Sequence, residues 1–569
     1  MKKIITACMI LLSISASAQT QLAVPDTLVG TNFSLNMHKD SVQFFPTGNI
    51  SHTLAFNQNK YLGPTLIFKK GDNVQMSVTN QIGDTTTVHW HGLHVAAIND
   101  GGPHTPIMQG ATWNPYFTIM DNAATYWYHP HTHKKTASQA IKGAAGLIIV
   151  RDAQEATLTL PRKYGVDDFP VIVQCQQYDS VNQAMPKGMQ DSTLMVNGVR
   201  ANNGYSVYGN FPAQVVRMRL LNASGERVFN FGLSGNKTFY QIASDGGLLN
   251  APVSTTRVRL SPGERAEILV DLSGMNGQSI YLMSYASELP MGVQGGPTMP
   301  MGPGNPPMDS PLNGVDFNIF KINVVAPTSN AVTTIPTMLT ANTLYTASQA
   351  VLTRTINMTA INMMSMDGPF YFNGLSFDMM RIDYHIPMNN IEIWSLSNQT
   401  MVAHPFHIHG VQFYILDRDG NPPAANEQGR KDVVLVSANE TVRFITKFED
   451  FADSITPYMY HCHVLMHEDD GMMGQYVINP LISGIKSIVS VDNALHIYPN
   501  PTNEIVNIET SLQNISSIAV FNALGEQIYT ESKVTLKQLQ LNTATWSKGV
   551  YNVVIRGENY VENKKLIVN

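Results

Sequence analysis

The triplet His461-Cys462-His463, inside the segment YMYHCHVLMHEDDGMM (458–473), constrains this chain more than any other feature. Successive side chains of an extended strand point to opposite faces. The Cys462 thiol therefore faces one way, and the His461 and His463 imidazoles face the other. One short strand can thus supply ligands to two separate metal sites. A thiolate from Cys462, an imidazole from His467 and a weak thioether from Met472 make most of a blue-copper site. That set lacks one histidine, and the two flanking imidazoles need partners as well.

The rest of the sequence contains them. Among 17 histidines there are five His-x-His pairs, at 89/91, 129/131, 131/133, 407/409 and 461/463, several times what random placement gives. An i, i+2 spacing puts both rings on one face of a strand. Neutral imidazole suits copper, and closely set pairs let one ring reach each of two adjacent ions. His407 and His409 share a face, and His404 lies on the opposite face of a regular strand. His404 can thus join Cys462 and His467, while His407 and His409 join His461 and His463. Pro130 cannot donate to a ladder, which places the 129/131 pair at a strand end or edge.

At 569 residues the chain exceeds one core, and three or four domains are expected. Only 14% of residues are charged, against 41 Gly and 31 Pro, a balance that favours turn-rich β structure. The net charge of −6 argues against nucleic acid as a partner. Lys2-Lys3, the mostly apolar stretch 4–14 and Ala16-Ser17-Ala18 read as a secretory signal over 1–18. The stretch 5–8 (ITAC) resembles a lipoprotein cleavage box, but almost no apolar run precedes Cys8. After cleavage only Cys175 and Cys462 remain; with Cys462 assigned to metal, Cys175 reads as a buried core thiol.

Along the chain, residues 19–155 and 336–482 are β units carrying all the metal motifs. Residues 156–335 are a β unit without one, expected to hold its neighbours at the right spacing. A linker spans 483–492, and alternating strands over 493–569 form a separate small β-sandwich.

At these motifs the chain from about 25 to 482 resembles the three-domain multicopper oxidases: laccases, bilirubin oxidases and copper-efflux oxidases. The stretches Gly63-Pro64-Thr65-Leu66 with Gly71-Asp72, Leu260-Ser261-Pro262-Gly263-Glu264-Arg265, and Lys431-Asp432 are also similar to the family. Residues 493–569 resemble the C-terminal sorting domain of the type IX secretion system. The resemblance implies an all-β fold of three cupredoxin-like Greek-key sandwiches and four copper ions. The type 1 copper would take His404, Cys462, His467 and axial Met472. The type 2 copper would take His89 and His407. The two type 3 coppers would share His91, His129, His131, His409, His461 and His463. Asp100 and Glu468 match the family's acidic residues near the cluster, and general acid logic makes them candidates for proton delivery.

The implied reaction couples one-electron oxidation of a small reductant to four-electron reduction of dioxygen to water. Electrons would pass through the Cys462 backbone to His461 and His463. His133 extends the His-x-His pattern without matching a ligand, and His94 and His104 read as exposed loop histidines. For substrate, phenols, aromatic amines and tetrapyrroles such as bilirubin are set against Cu(I), which thioethers select. Methionines are frequent, 29 in all, and crowd 358–388 and 291–308. The efflux oxidases place an Asp and a Met just before the first type 1 histidine. Here that stretch is Gln399-Thr400-Met401-Val402-Ala403, without the acid and with Met401 out of step, so the laccase-like reading leads. A non-enzymatic class also exists, because some relatives serve as cell-division scaffolds; those lack the copper ligands, and this chain keeps all of them. The expected location is outside the cell or on its surface, reached through the type IX machinery. Nothing in the sequence sets an oligomeric state.

Overall fold

The computed structural model describes residues 19–186, 190–201, 207–298, 310–362, 368–480, 495–510, 515–532, 538–557 and 561–569. The expected signal (1–18), the linker (483–492) and Met299, Met301, Met308, Met363, Met364 and Met366 lie outside them. The chain divides into two compact units, Met1–Pro480 and Leu481–Asn569.

The larger unit is built from three pairs of facing β-sheets. In the first pair, the strands Thr27–Val29, Thr65–Lys69, Gly146–Arg151, Ala124–His129 and His89–His91 make one sheet. Ser51–Phe56, Asn32–Val42, Asn73–Gln81 and Thr112–Trp113 make the other. Strict alternation buries Val74, Met76 and Val78 on one face of Asn73–Gln81, as a half-buried strand requires. The core between the sheets holds Leu35, Phe68, Trp90, Tyr126 and Tyr128. Strands from distant parts of the chain alternate between the two layers, the Greek-key habit of cupredoxin-like sandwiches.

The second pair spans Asp168–Tyr178 to Phe317–Val325, and the short strand Thr20–Gln21 joins it in parallel with Val207–Pro212. The strand Val215–Asn222 alternates as its sequence suggests, yet every residue is buried. One face packs into the apolar core through Val216, Met218 and Leu220. The other carries Arg217 and Arg219 into a buried ionic cluster. Arg219 donates to Asp168 (2.7 and 3.0 Å) and to Thr125 Oγ1 of the first pair of sheets (3.0 Å), and Arg217 donates to Glu155 (2.7 Å) and Glu267 (2.9 Å).

The third pair sets Phe370–Phe372, Leu352–Ala360, Ile391–Asn398, Thr441–Lys447 and Tyr414–Arg418 against Tyr384–Pro387, Met473–Asn479, Asp453–Cys462, His404–Ile408 and Val433–Val436. The smaller unit has its own two sheets around Val506, Ile508, Val520, Val553 and Leu566.

Candidate metal centres

Strands His404–Ile408 and Asp453–Cys462 pair antiparallel, with Phe406 opposite Cys462 and His407 opposite His461. Directly paired residues share a sheet face. This register sends His404, Phe406 and Cys462 to the inside of the third sandwich and His407 and His461 to its outside. Inside, Cys462 Sγ lies 3.5 Å from His404 Nδ1 and 3.6 Å from His467 Nδ1. His467 comes from the helical turn Leu465–Asp469. Met472 follows: its N–H donates to the His467 carbonyl (2.8 Å), and its own carbonyl accepts from Cys462 N–H (3.0 Å). The Met472 side chain is buried in the same core as Cys462. The Phe370 ring lies against both imidazoles, at 4.7 and 4.6 Å. His404, Cys462 and Met472 are fully buried, while His467 keeps 8% of its surface exposed.

Outside, eight imidazoles converge, four from the first sandwich and four from the third. His89 and His91 stand on a strand paired with Ala124–His129, with His89 opposite His129; that strand ends just before Pro130. Three sets have their nitrogens within 4.8 Å of one another: His91, His129 and His463; His131, His409 and His461; and His89, His407 and His409.

The hydrogen bonds fix which nitrogen each ring keeps bare. Nδ1 donates to a backbone carbonyl in His89 (Asp100, 2.9 Å), His129 (Pro130, 2.8 Å), His407 (Asp432, 2.8 Å) and His461 (Cys462, 3.0 Å). In His409 it donates to Asp100 Oδ2 at 2.7 Å. Nε2 is therefore bare in all five. His91 is reversed: Nε2 donates to Asp432 Oδ1 at 3.0 Å, so Nδ1 is bare. Bare nitrogens then confront each other, His91 Nδ1 with His129 Nε2 at 3.3 Å and His409 Nε2 with His461 Nε2 at 3.2 Å. His131 Nε2 also comes within 3.0 Å of His461 Nε2. His89 Nε2, His407 Nε2 and both nitrogens of His463 are buried without a hydrogen-bond partner among the described residues. Lone pairs held face to face in a dry site fit a cation between them, and they fit little else.

The electrostatics agree. Burial, reinforced by the neighbouring rings, holds His91, His129, His131, His407, His409 and His463 well below the usual imidazole range. Burial likewise lowers His461 to about 3. These rings are neutral at physiological pH, the form that binds metal. Burial pushes the Cys462 thiol up, so a thiolate there needs a bound cation.

Asp100 and Glu468 both reach the imidazoles. Asp100 Oδ2 bonds His409 as above and lies 3.3 Å from His89 Nδ1. Glu468 Oε2 is 3.2 Å from His461 Nδ1, and Oε1 is 3.5 Å from His131 Nδ1. Burial, then the nearby Asp469 charge, raises the Glu468 carboxyl well above the usual range. His94 and His104 are half-buried rather than exposed, and each reaches across to the third sandwich. His94 Nε2 meets Asp450 Oδ2 (3.2 Å), and His104 Nε2 meets Gln475 Oε1 (2.7 Å). His133 packs against the Phe377 ring, at 5.3 Å, and joins none of the sets found among the described residues. Cys175 is a buried free thiol.

Sequence reasoning marked Lys431-Asp432 and the 260–265 stretch as similarities without a task. The structure supplies the task. Asp432 reverses the His91 ring and is itself held by Arg265 through two bonds of 2.6 Å. Gly263 has φ +86°, and a Cβ there would sit 2.9–3.0 Å from the His463 ring.

Comparison with known proteins extends this picture. Residues 40–155, 171–297 and 342–481 each match a multicopper oxidase family model, and 496–569 match the secretion system C-terminal sorting domain. That last match marks the chain as exported, to the cell surface or the medium. A multicopper oxidase of Staphylococcus haemolyticus is 33% identical over 453 residues, covering 78% of this chain and 88% of the relative. A cell division protein, FtsP of Sodalis glossinidius, is 31% identical over 441 residues, covering 77% and 87%. Among solved structures, a laccase-like multicopper oxidase from Ochrobactrum sp., active towards lignin model compounds and lignosulfonate, superposes with a TM-score of 0.70 at 32% identity. It covers 80% of this chain and all of that one. Donors that face one another across a dry pocket want a soft or borderline cation, and the relatives aligned over most of their length say which: the chain belongs to the multicopper oxidases, oxidoreductases that use copper.

Proposed function

We propose that His404, Cys462, His467 and Met472 hold the type 1 copper and that His89 and His407 hold the type 2 copper. His91, His129 and His463 would hold one type 3 ion, and His131, His409 and His461 the other. The observation that carries this reading is the confrontation of bare imidazole nitrogens on one side of a strand whose other side presents a thiol between two imidazoles. When bound, the coppers take single electrons from a reductant and pass four to dioxygen, giving water.

The chain's residues do the rest. Cys462 is bonded through its own backbone to His461 and His463, so the two centres share one short covalent path. His467, the ligand nearest solvent, receives the reductant. Asp100 orients His89 and His409. Glu468, kept protonated by burial, holds a proton beside His131 and His461. The favoured reductants are phenols, aromatic amines and tetrapyrroles such as bilirubin. The stretch Gln399-Thr400-Met401-Val402-Ala403 before His404 holds no acid, and its Met401 is out of step with the efflux oxidases; both support that choice. A second reading, oxidation of Cu(I), is favoured by the thioether of Met380, which is 90% exposed.

Residues 1–18 act as the export signal, and 493–569 engage the type IX machinery after a linker at 483–492. Residues 19–155, 156–335 and 336–482 are the three cupredoxin units. The test compares oxygen uptake with a methoxyphenol, bilirubin and Cu(I), alongside copper content. Four coppers per chain, a blue colour lost in Cys462→Ser, and turnover of the phenol are expected. One copper per chain, or turnover intact in Cys462→Ser, would end the proposal; a large preference for Cu(I) would reverse the substrate order.

A further inference from the structure

The far nitrogen of His404 meets a buried side-chain relay. His404 Nε2 lies 2.9 Å from Thr400 Oγ1, and both residues are fully buried. The direction of that bond follows from the groups behind it. Asn398 Nδ2 contacts three backbone carbonyls, those of Val402 (2.8 Å), Val436 (3.1 Å) and Ser437 (3.0 Å). Carbonyls only accept, so Nδ2 is the amide nitrogen and Asn398 Oδ1 is the acceptor left over. Asn398 Oδ1 takes the Thr400 N–H (2.9 Å) and faces the Thr400 hydroxyl (2.8 Å). The Val402 carbonyl at 3.0 Å is also an acceptor, and the Val402 N–H at 3.4 Å donates to the hydroxyl oxygen. The Thr400 proton must therefore point away from His404, and its oxygen must accept from His404 Nε2–H. His404 is thereby fixed with Nδ1 bare and aimed at Cys462 Sγ.

We propose that Thr400 and Asn398 are positioning residues that lock the His404 ring in its binding tautomer and set the reduction potential of the type 1 copper. The inference rests on the assignment of that copper to His404, Cys462 and His467. A partner on the far N–H of a metal-bound imidazole fixes its orientation and raises its basicity. A carboxylate acceptor makes the ring more electron-rich and favours the oxidised ion. A hydroxyl whose own proton is committed elsewhere is a neutral, weaker acceptor. The relay thus keeps His404 a poorer donor and the potential higher, which suits withdrawal of electrons from reluctant organic reductants.

The test uses the copper-loaded, full-length protein and reads type 1 copper affinity, reduction potential by redox titration, and the blue absorption and electron paramagnetic resonance spectra. Thr400→Val keeps the shape but removes the acceptor, and should weaken type 1 copper binding about 10-fold with altered spectra. Thr400→Ser should restore wild-type values. Thr400→Asp should favour the oxidised ion about 10-fold, a drop of about 59 mV for one electron. Unchanged affinity, potential and spectra in both Thr400→Val and Thr400→Asp would overturn the proposal. So would a Thr400→Ser variant as impaired as Thr400→Val, since the hydroxyl would then not be what matters. A wild-type protein without a blue centre would instead overturn the copper assignment itself.

Discussion

A carboxyl group next to a cluster of neutral imidazoles either stays ionised and accepts their N–H groups or keeps its proton and can donate it. The role proposed for Glu468 is of the second kind. Its burial and the Asp469 charge beside it both oppose ionisation, and its oxygens lie 3.2 and 3.5 Å from rings of the two sandwiches. Reduction of dioxygen to water consumes protons that must arrive where the solvent does not. Glu468→Gln preserves the shape and removes the transferable proton. It should slow reoxidation of the reduced enzyme by oxygen about 100-fold, the lower end of what a positioned acid contributes. Reduction of the type 1 copper by substrate should change far less, because the Glu468 oxygens face His461 and His131 of the imidazole cluster. Stopped-flow absorption separates the two steps, and an unchanged reoxidation rate would remove Glu468 from proton delivery. The pairing of His461 and His131 with neighbouring imidazoles was readable because their spacing repeats along the chain. Asp432 was not readable in that way. It acts on His91 from 341 residues away in sequence, and no local pattern announces such a partner.

Turns and strands show the same division between what is local and what is not. Strand parity alone separates Cys462 from His461 and His404 from His407, because side-chain alternation is a property of the backbone. The strand end before Pro130 follows from the missing N–H. The turn Ser261-Pro262-Gly263-Glu264 stood out in the sequence by its likeness to the family but not as a neighbour of the His463 ring, because that place depends on how the second sandwich meets the third. Its geometry is tightly set. Glu264 Oε2 accepts from Ser261 N–H (2.6 Å), Oε1 meets Lys431 Nζ (2.9 Å), and the Gly263 carbonyl accepts from Arg265 (3.0 Å). Gly263→Ala meets two penalties. A left-handed φ costs a residue with a Cβ about 1–2 kcal/mol, and the added methyl presses on the His463 ring. The variant should bind fewer than four coppers while keeping its blue centre. Copper analysis beside absorption spectra checks this, and a full complement of coppers would show that the turn does not support His463.

The middle sandwich carries no metal motif, yet the first sandwich is fastened to it by charge in a dry interface. Arg219 and Arg217 rise from one strand into Asp168, Glu155 and Glu267, and Arg219 also takes Thr125 from the strand that ends at His129. Sequence showed the apolar alternation of Val215–Leu221 but not that its arginines are interior, since an alternating Arg reads as a solvent face until a second sandwich covers it. Burial alone would raise the Asp168 carboxyl. The guanidiniums of Arg219, Arg217 and Arg151 outweigh it and hold Asp168 well below the usual carboxylate range. Glu155 is lowered in the same way, burial opposing and Arg217 and Arg151 prevailing. Both groups bind fewer protons folded than unfolded, so stability falls as pH falls. Their contribution is complete above the unfolded carboxyl pKa of about 4 and is lost as pH drops towards the folded values. Asp168→Asn should therefore do two things. It leaves Arg219 with one buried partner fewer, costing about 3 kcal/mol at neutral pH, and it flattens the loss of stability below pH about 4. Calorimetry of the copper-loaded wild type and variant from neutral pH down to pH about 3 reads both, and an acid slope as steep in the variant as in the wild type would show that the cluster does not govern it.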